Sequence, residues 1–281
     1  MRIRTSFAGG LLAATTMLAL LSGQPAQAAA GAVAPSAPPS VGASTGTDNP
    51  TCWYGACFDY VYGRQITTAT GASIRMEIAD PVVDPTQPGE HSLQELALQN
   101  SAQTSTVEVG WTVDPQMNGD AKPHLFVYHW VNGQESCYNG CGFVQVSRRI
   151  VPGMRLPSGR SAEFSIRLVH GDWWIYYNDT KVGYFPGSLW DGSYTSAQMV
   201  TAFGEVAENT PDVPSCTQMG DGRFGSSRGS SWIAGFHLYG STDAPDLTVL
   251  ATSPDYYGFG KVTPTSFQLG GPGKGACQPA S

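Results

Sequence analysis

Thr104-Ser105-Thr106-Val107-Glu108-Val109-Gly110-Trp111-Thr112-Val113 is the stretch from which the rest of the chain is read. Side chains alternate across a strand, so neighbours in sequence point to opposite faces. Val107, Val109, Trp111 and Val113 then share one face, and Thr106, Glu108, Gly110 and Thr112 share the other. The first face is a strand's core face. The second carries one acid among small and hydroxyl-bearing neighbours, with Gly110 leaving room for a substrate backbone to approach. Outward from this segment, short runs rich in Val, Ile, Thr, Tyr, Phe and Trp recur between turn signals, at 73–79, 93–99, 124–131, 143–149, 162–170, 172–178, 181–185, 197–207, 231–239 and 247–249. The chain's 34 glycines and 20 prolines interrupt it too often for long helices. This predicts an all-β fold of two packed antiparallel sheets, a β-sandwich of jelly-roll-like type. Residues 92–99 fit either a strand or a short helix. His170-Gly171-Asp172 reads as a tight hairpin turn.

The run 197–207 behaves like 104–113. Val200, Ala202, Gly204 and Val206 form one face, and Met199, Thr201, Phe203, Glu205 and Ala207 the other. Glu205 is thus a second acid on a strand, in apolar surroundings, where desolvation favours the protonated form. Two carboxyls in different environments can act as proton donor and base in one site. Read from the residues alone, Glu108 and Glu205 can equally be two glutamates on solvated sheet faces.

The chain opens with Arg2 and Arg4, an apolar run over 7–21, and Ala26-Gln27-Ala28. That is the pattern of a secretory signal peptide over 1–28. The run is broken by Gly9, Gly10, Thr15 and Thr16, and is shorter than the roughly 20 apolar residues of a membrane span. Residues 29–50 are nearly all Ala, Pro, Ser, Gly, Thr and Val and read as a disordered arm; 51–281 reads as one domain. Only 13% of residues are charged, against about 25% in an average globular protein. Such a surface changes little in charge as pH falls. The net charge is −7, and losing residues 1–28, with two arginines and no acid, moves it to −9. An acidic chain repels phosphate backbones, which excludes nucleic acid as a partner.

Six cysteines remain after residue 28, an even number in an exported chain, which favours disulfides. Cys52 with Cys57 and Cys137 with Cys141 are the local pairs, leaving Cys216 to Cys277. Six cysteines allow 15 connectivities. A zinc site is the rival, but there is no Cys-x-x-Cys and no His at ligand spacing from a cysteine pair.

Several ordered motifs resemble the neprosin family. They are the segment 107–115, Leu125-Phe126-Val127-Tyr128-His129-Trp130, the run from Cys137-Tyr138-Asn139 to Gln145, Gly171-Asp172-Trp173-Trp174, 182–186, Gly204-Glu205-Val206, 217–224 and the tail 270–274. The likeness covers roughly residues 90–277. It implies a glutamic peptidase with a β-sandwich fold, active in acid, cutting on the carboxyl side of proline, with Glu108 and Glu205 as the catalytic pair. The implied chemistry has one ionised glutamate activating a water while the other, protonated, stabilises the oxyanion and helps the amine leave. Glu205 is assigned as base and Glu108 as acid. Two close carboxylates should share a proton in acid. Tyr128 and Gln145 stand in family-like motifs as candidate substrate-binding donors. Trp111, Trp130 and Trp173 are candidate grips for a proline ring, with core packing as the alternative. Plant members carry a folded propeptide; here only the arm and the Cys52–Cys57 region precede the resemblance. The plant tail often has a local cysteine pair, and Cys277 lacks a nearby partner, a further reason to pair it with Cys216.

The expected partner is a protein or peptide substrate, proline-containing. A monomer is expected, secreted, with no cofactor, no metal and no membrane association once the signal is removed. Gly225-Ser226-Ser227-Arg228-Gly229 matches a nucleophile elbow, but that motif needs a following helix. Gly220-Asp221-Gly222-Arg223-Phe224-Gly225 matches a dinucleotide-binding fingerprint and reads as a turn. No H-E-x-x-H arrangement marks a metallopeptidase, and residues 114–120 read as a turn rather than a calcium loop. Two rivals remain. Two glutamates on a tryptophan-rich sandwich also suit a glycosidase, and the aromatics suit a non-catalytic extracellular binding module.

Overall fold

A computed structural model describes residues 51–53, 56–208 and 215–277. The expected signal peptide over 1–28 and the expected arm over 29–50 lie outside the described residues. The elements in chain order are β1 (Thr51–Trp53), β2 (Ala56–Ala69), β3 (Gly71–Ile78), β4 (His91–Gln99), β5 (Thr106–Val113), α1 (Pro115–Asn118), β6 (His124–Val131), β7 (Gln134–Glu135) and β8 (Val144–Gln145). Then follow β9 (Arg160–Val169), β10 (Asp172–Tyr177), β11 (Thr180–Phe185), a 3-10 turn (Gly187–Trp190), β12 (Ala197–Glu208), β13 (Trp232–Tyr239), β14 (Thr248–Ala251), β15 (Gly258–Thr263) and β16 (Ser266–Gly270).

Among the described residues the strands form two antiparallel sheets. The first runs β1-β2-β12-β4-β5-β6-β7, with β14 also on β2; the second runs β15-β16-β13-β3-β9-β10-β11-β8. The all-β, two-sheet expectation holds. One apolar core fills the space between them. It takes Val107, Val109, Trp111 and Val113 from β5, Leu96 and Leu98 from β4, and Val200, Ala202 and Val206 from β12. Ile74, Met76, Phe164, Ile166, Trp173, Ile175 and Ile233 meet them from the second sheet. Each large aliphatic side chain buried this way contributes about 1.5–3 kcal/mol. The face of β5 read as a core face is therefore the core face.

Differences from the sequence reading have local causes. The strand reading of 93–99 holds, as β4, over its helical alternative. This strand is buried on both faces, so apolar residues fall on each and no clean period appears. The longest strand, β2, was not anticipated. Its apolar and aromatic residues are interleaved with Asp59, Gly63, Arg64 and Gln65, which hide the alternation. The β15–β16 hairpin was also missed, and 143–149 shrinks to the two-residue β8. The turn at His170-Gly171 is as expected: both residues have positive φ, 53° and 89°, the conformation a two-residue hairpin turn requires. The three expected disulfides form, Cys52–Cys57, Cys137–Cys141 and Cys216–Cys277.

At one end of the sandwich lies a buried acidic cluster. Asp59 faces Val206, two residue pairs from the end of β12 at Glu208, and Asp59, Glu90 and Glu208 are all buried. The Ser215 amide donates to Glu208 at 3.0 Å, Thr217 Oγ1 donates to Glu90 at 2.6 Å, and the Ser253 hydroxyl donates to Asp59. Burial first, then the hydrogen bond and charge of Asp59 and the charge of Glu90, push Glu208 up to about 10. Folding therefore favours its protonated form. The stability this gives is complete below the ordinary glutamate range and is lost as pH rises toward the folded value. The melting temperature is expected to fall between pH 4 and pH 8, and Glu208→Gln to flatten that fall. Calorimetry showing the same slope in both proteins would contradict this.

Candidate active site

The first sheet has a second buried face, turned away from the inter-sheet core. The strand order β2-β12-β4-β5-β6 fixes what stands on it. Tyr60, Glu205, Leu93, Thr112 and His124 pair across one row. Two residues along β4, the row is Tyr62, Phe203, Glu95, Gly110 and Phe126. Two further, it is Arg64, Thr201, Ala97, Glu108 and Tyr128. Glu108 and Glu205 thus emerge on the same face of the same sheet. They sit on β5 and β12, with β4 between, offset by four residues along it.

Glu95 occupies the middle of that offset. It is one strand and one row from each of the other two, the diagonal-neighbour position, where Cα atoms are about 7–8 Å apart. Glu108 and Glu205 are two such steps apart, roughly 15 Å between Cα atoms. In this register Glu95 is the acid nearest along the sheet to each of them. Glu95, Glu108 and Glu205 are each 0% exposed. Burial, and then the charges of Glu108 and Glu205, hold Glu95 well above the ordinary glutamate range. Neither Glu95 oxygen accepts a hydrogen bond among the described residues. Gly110 does not leave space for a substrate. A Cβ there would meet the Glu95 Cβ at 2.6 Å and the Gln94 carbonyl at 2.2 Å, so its missing side chain seats Glu95.

His91, at the start of β4, places Nε2 3.2 Å from Glu205 Oε1, both side chains buried. Burial pulls the imidazole's pKa down. The hydrogen bond and charge of Glu205, with smaller contributions from Asp114 and the Gly89 carbonyl, outweigh it, and the net shift is upward. Asp114 also accepts from the Gln116 and Met117 amides at 3.0 and 2.9 Å, capping α1. The segment after β5 is therefore a capped helical turn.

Aromatic side chains flank the acids. Phe58, Tyr60, Tyr62 and Phe203 stand on the β2–β12 side, and Phe126, Tyr128 and Trp130 on the β6 side. Tyr128 stands beside Glu108 in the register. Its hydroxyl donates to the Ser136 carbonyl at 3.0 Å, and burial, reinforced by the charge of Glu108, keeps it neutral. Trp130 packs on Tyr128 with ring centroids 5.7 Å apart. The other named candidates are not brought here. Trp111 and Trp173 lie in the inter-sheet core, Trp111 because its position on β5 has the opposite parity to Glu108 and Trp173 because β10 belongs to the second sheet; their indole N–H groups donate to the carbonyls of Glu77 and Tyr194. Gln145 is exposed on β8, in the second sheet, and donates to the Ser147 carbonyl. Gly225–Gly229 is a loop of turns with no helix after it. Among the described residues, no group of three His, Cys, Asp or Glu side chains could hold a metal ion, and no helix is long and apolar enough to cross a membrane.

Sequence reasoning missed Glu95 and His91. The signal for both was the alternation of β4, which puts residues 91, 93, 95, 97 and 99 on one face, but the strand-or-helix ambiguity obscured it.

Fold and site together define a β-sandwich with a buried diagonal of carboxyl groups on the outer face of one sheet. The chain belongs to the Neprosin family, whose model matches residues 88–272. That membership supports a glutamic peptidase. β2 and β3 lie ahead of the matched residues yet supply a strand to each sheet. Among solved structures, the chain is similar to scytalido-glutamic peptidase with a transition state analog inhibitor (12% identity, 76% of this chain, 98% of that chain, TM-score 0.47). It is similar to SCP-B, a member of the Eqolisin family of peptidases, in complex with the tripeptide Ala-Ile-His (12% identity, 76% and 98% covered, TM-score 0.42).

The His91–Glu205 pair carries its own test. His91 is expected to titrate with a midpoint above about 6.5, the ordinary imidazole value, and Glu205→Gln should lower it. Ring-proton NMR titration reads both; a midpoint unmoved by Glu205→Gln would separate the two groups.

Proposed function

We propose that this protein is a secreted, acid-active glutamic endopeptidase that cleaves after proline, with Glu205 as general base and Glu108 as general acid. The observation that carries the reading is the emergence of both glutamates on one face of one sheet, flanked by aromatic side chains. The secretory signal over 1–28, the arm over 29–50 and the catalytic domain over 51–281 belong to the same proposal.

In this reading Glu205 works ionised. A protonated His91 at 3.2 Å favours the carboxylate and orients it. Glu205 takes a proton from a water molecule, whose oxygen attacks the scissile carbonyl carbon. Glu108 works protonated. It donates a hydrogen bond to the developing oxyanion, then gives its proton to the amide nitrogen as the C–N bond breaks. The cycle leaves Glu205 protonated and Glu108 ionised. Activity requires Glu108 to hold a proton at the start, which places the optimum in acid. Trp130 and Tyr128, beside Glu108, offer apolar faces to a proline ring.

Glu108→Gln and Glu205→Gln are each expected to lower kcat/KM on a proline-containing peptide by about 10²–10⁴-fold, with melting temperatures retained. Activity should peak in acid and survive serine-directed and cysteine-directed reagents and chelators. Cleavage abolished by any of these reagents would overturn the mechanism. Release of reducing sugar from a polysaccharide, with no peptide cleavage, would make the protein a glycosidase. Ligand binding that survives both substitutions, without turnover, would make it a binding module.

A further inference from the structure

The two-glutamate cycle ends with its proton on the wrong group, and the structure places a third carboxyl between the two. We infer that Glu95 is a proton-return residue, passing a proton from Glu205 back to Glu108 after each peptide bond is cut. This rests on the peptidase reading above and deepens it.

Three observations carry the inference. Glu95 is the diagonal neighbour of both glutamates, one strand and two residues from each in the register. Its carboxyl is fully buried, and neither oxygen accepts a hydrogen bond from any N–H or O–H among the described residues. A structural glutamate in a sheet is ordinarily held by donors that satisfy it; this one is held by none and is seated by the absent side chain of Gly110. The ionisable groups around it act in one sense. Glu108 from β5 and Glu205 from β12 are both acids whose charge disfavours its anion, and the cation on its own strand, His91, is hydrogen-bonded to Glu205. Glu95 is thus a neutral acid at rest, with a proton to give.

The transfer balances. Neutral Glu95 turns its unheld carboxyl to Glu108 and gives its proton to that carboxylate, forming one O–H bond and breaking another. The Glu95 carboxylate then takes the proton Glu205 acquired from water. One proton moves from Glu205 to Glu108, Glu95 ends protonated as it began, and no oxidant or co-reactant is consumed. A carboxyl suits this step because it has two equivalent oxygens, one for each neighbour.

The test is Glu95→Gln, which keeps the size of the side chain and removes its exchangeable carboxyl proton. Rapid mixing with a proline-containing peptide should show a first turnover near the wild-type rate, a burst of about one product per site, then a steady rate at least about tenfold lower. That steady rate should rise with the concentration of formic acid in the buffer, which supplies a carboxyl from outside, and the wild-type rate should not. A purely structural role would lower burst and steady rate together. Should Glu95→Gln fail to fold, Glu95→Asp is read the same way, since a shortened relay should give the same burst. If Glu108→Gln and Glu205→Gln are inactive while the Glu95 variant matches wild type with no burst, the proton-return role alone is overturned. If Glu108→Gln or Glu205→Gln stays active, the parent reading falls and this inference with it.

Discussion

Three carboxyl groups buried on one face of a sheet repel one another and have lost most of the water that would screen them. Nearly everything else about this face follows from how that repulsion is met. Buried acids of like sign cannot all ionise, so the register of β12, β4 and β5 fixes a distribution of protons as well as a geometry. Glu95, with both neighbours acidic, is held neutral. Glu205 has the imidazole of His91 beside it. The frame that makes this tolerable is the inter-sheet core on the opposite face, where the same three strands contribute Leu96, Leu98, Val107, Val109, Trp111, Val200 and Val206. Each strand is anchored by its aliphatic side and presents its acid on the other.

The same logic recurs at the end of the sandwich. Asp59, Glu90 and Glu208 are buried together, and the hydrogen bonds they accept tie this end of the sandwich to the segments carrying Ser215, Thr217 and Ser253. Both acidic groups are most comfortable when protons are abundant. The low charge content of the chain, 13%, points the same way, since a surface with few carboxylates loses few favourable interactions when they are protonated. Protonation thus bears on buried acids at two separate places in the fold.

Much of this was legible in the residues and some was not, for identifiable reasons. Strands with one aliphatic face, such as 104–113, declare both their period and their orientation, and the faces read for Glu108 and Glu205 are the ones observed. The parity that puts Glu108 on the outer face also puts Trp111 in the core, so their roles could not both be site roles. Strand β4 was opaque because burial on both faces erases the polar half of the alternation, and Glu95 and His91 were lost with it. Strand β2 was hidden because the register that pairs Tyr60 with Glu205 and Tyr62 with Phe203 is a long-range fact. The candidate status of Gln145 came from motif position alone, and motif position does not reveal that β8 belongs to the other sheet.

The account turns on the outer face of the first sheet being where a peptide bond is cut. The most direct measurement is a crystal structure of Glu205→Gln with an uncleaved proline-containing peptide. The scissile carbonyl should lie against this face, its oxygen within hydrogen-bond reach of Glu108 and its carbon open to a water held at position 205. A peptide bound instead on the second sheet, or on this face with its scissile bond away from all three acids, would contradict it.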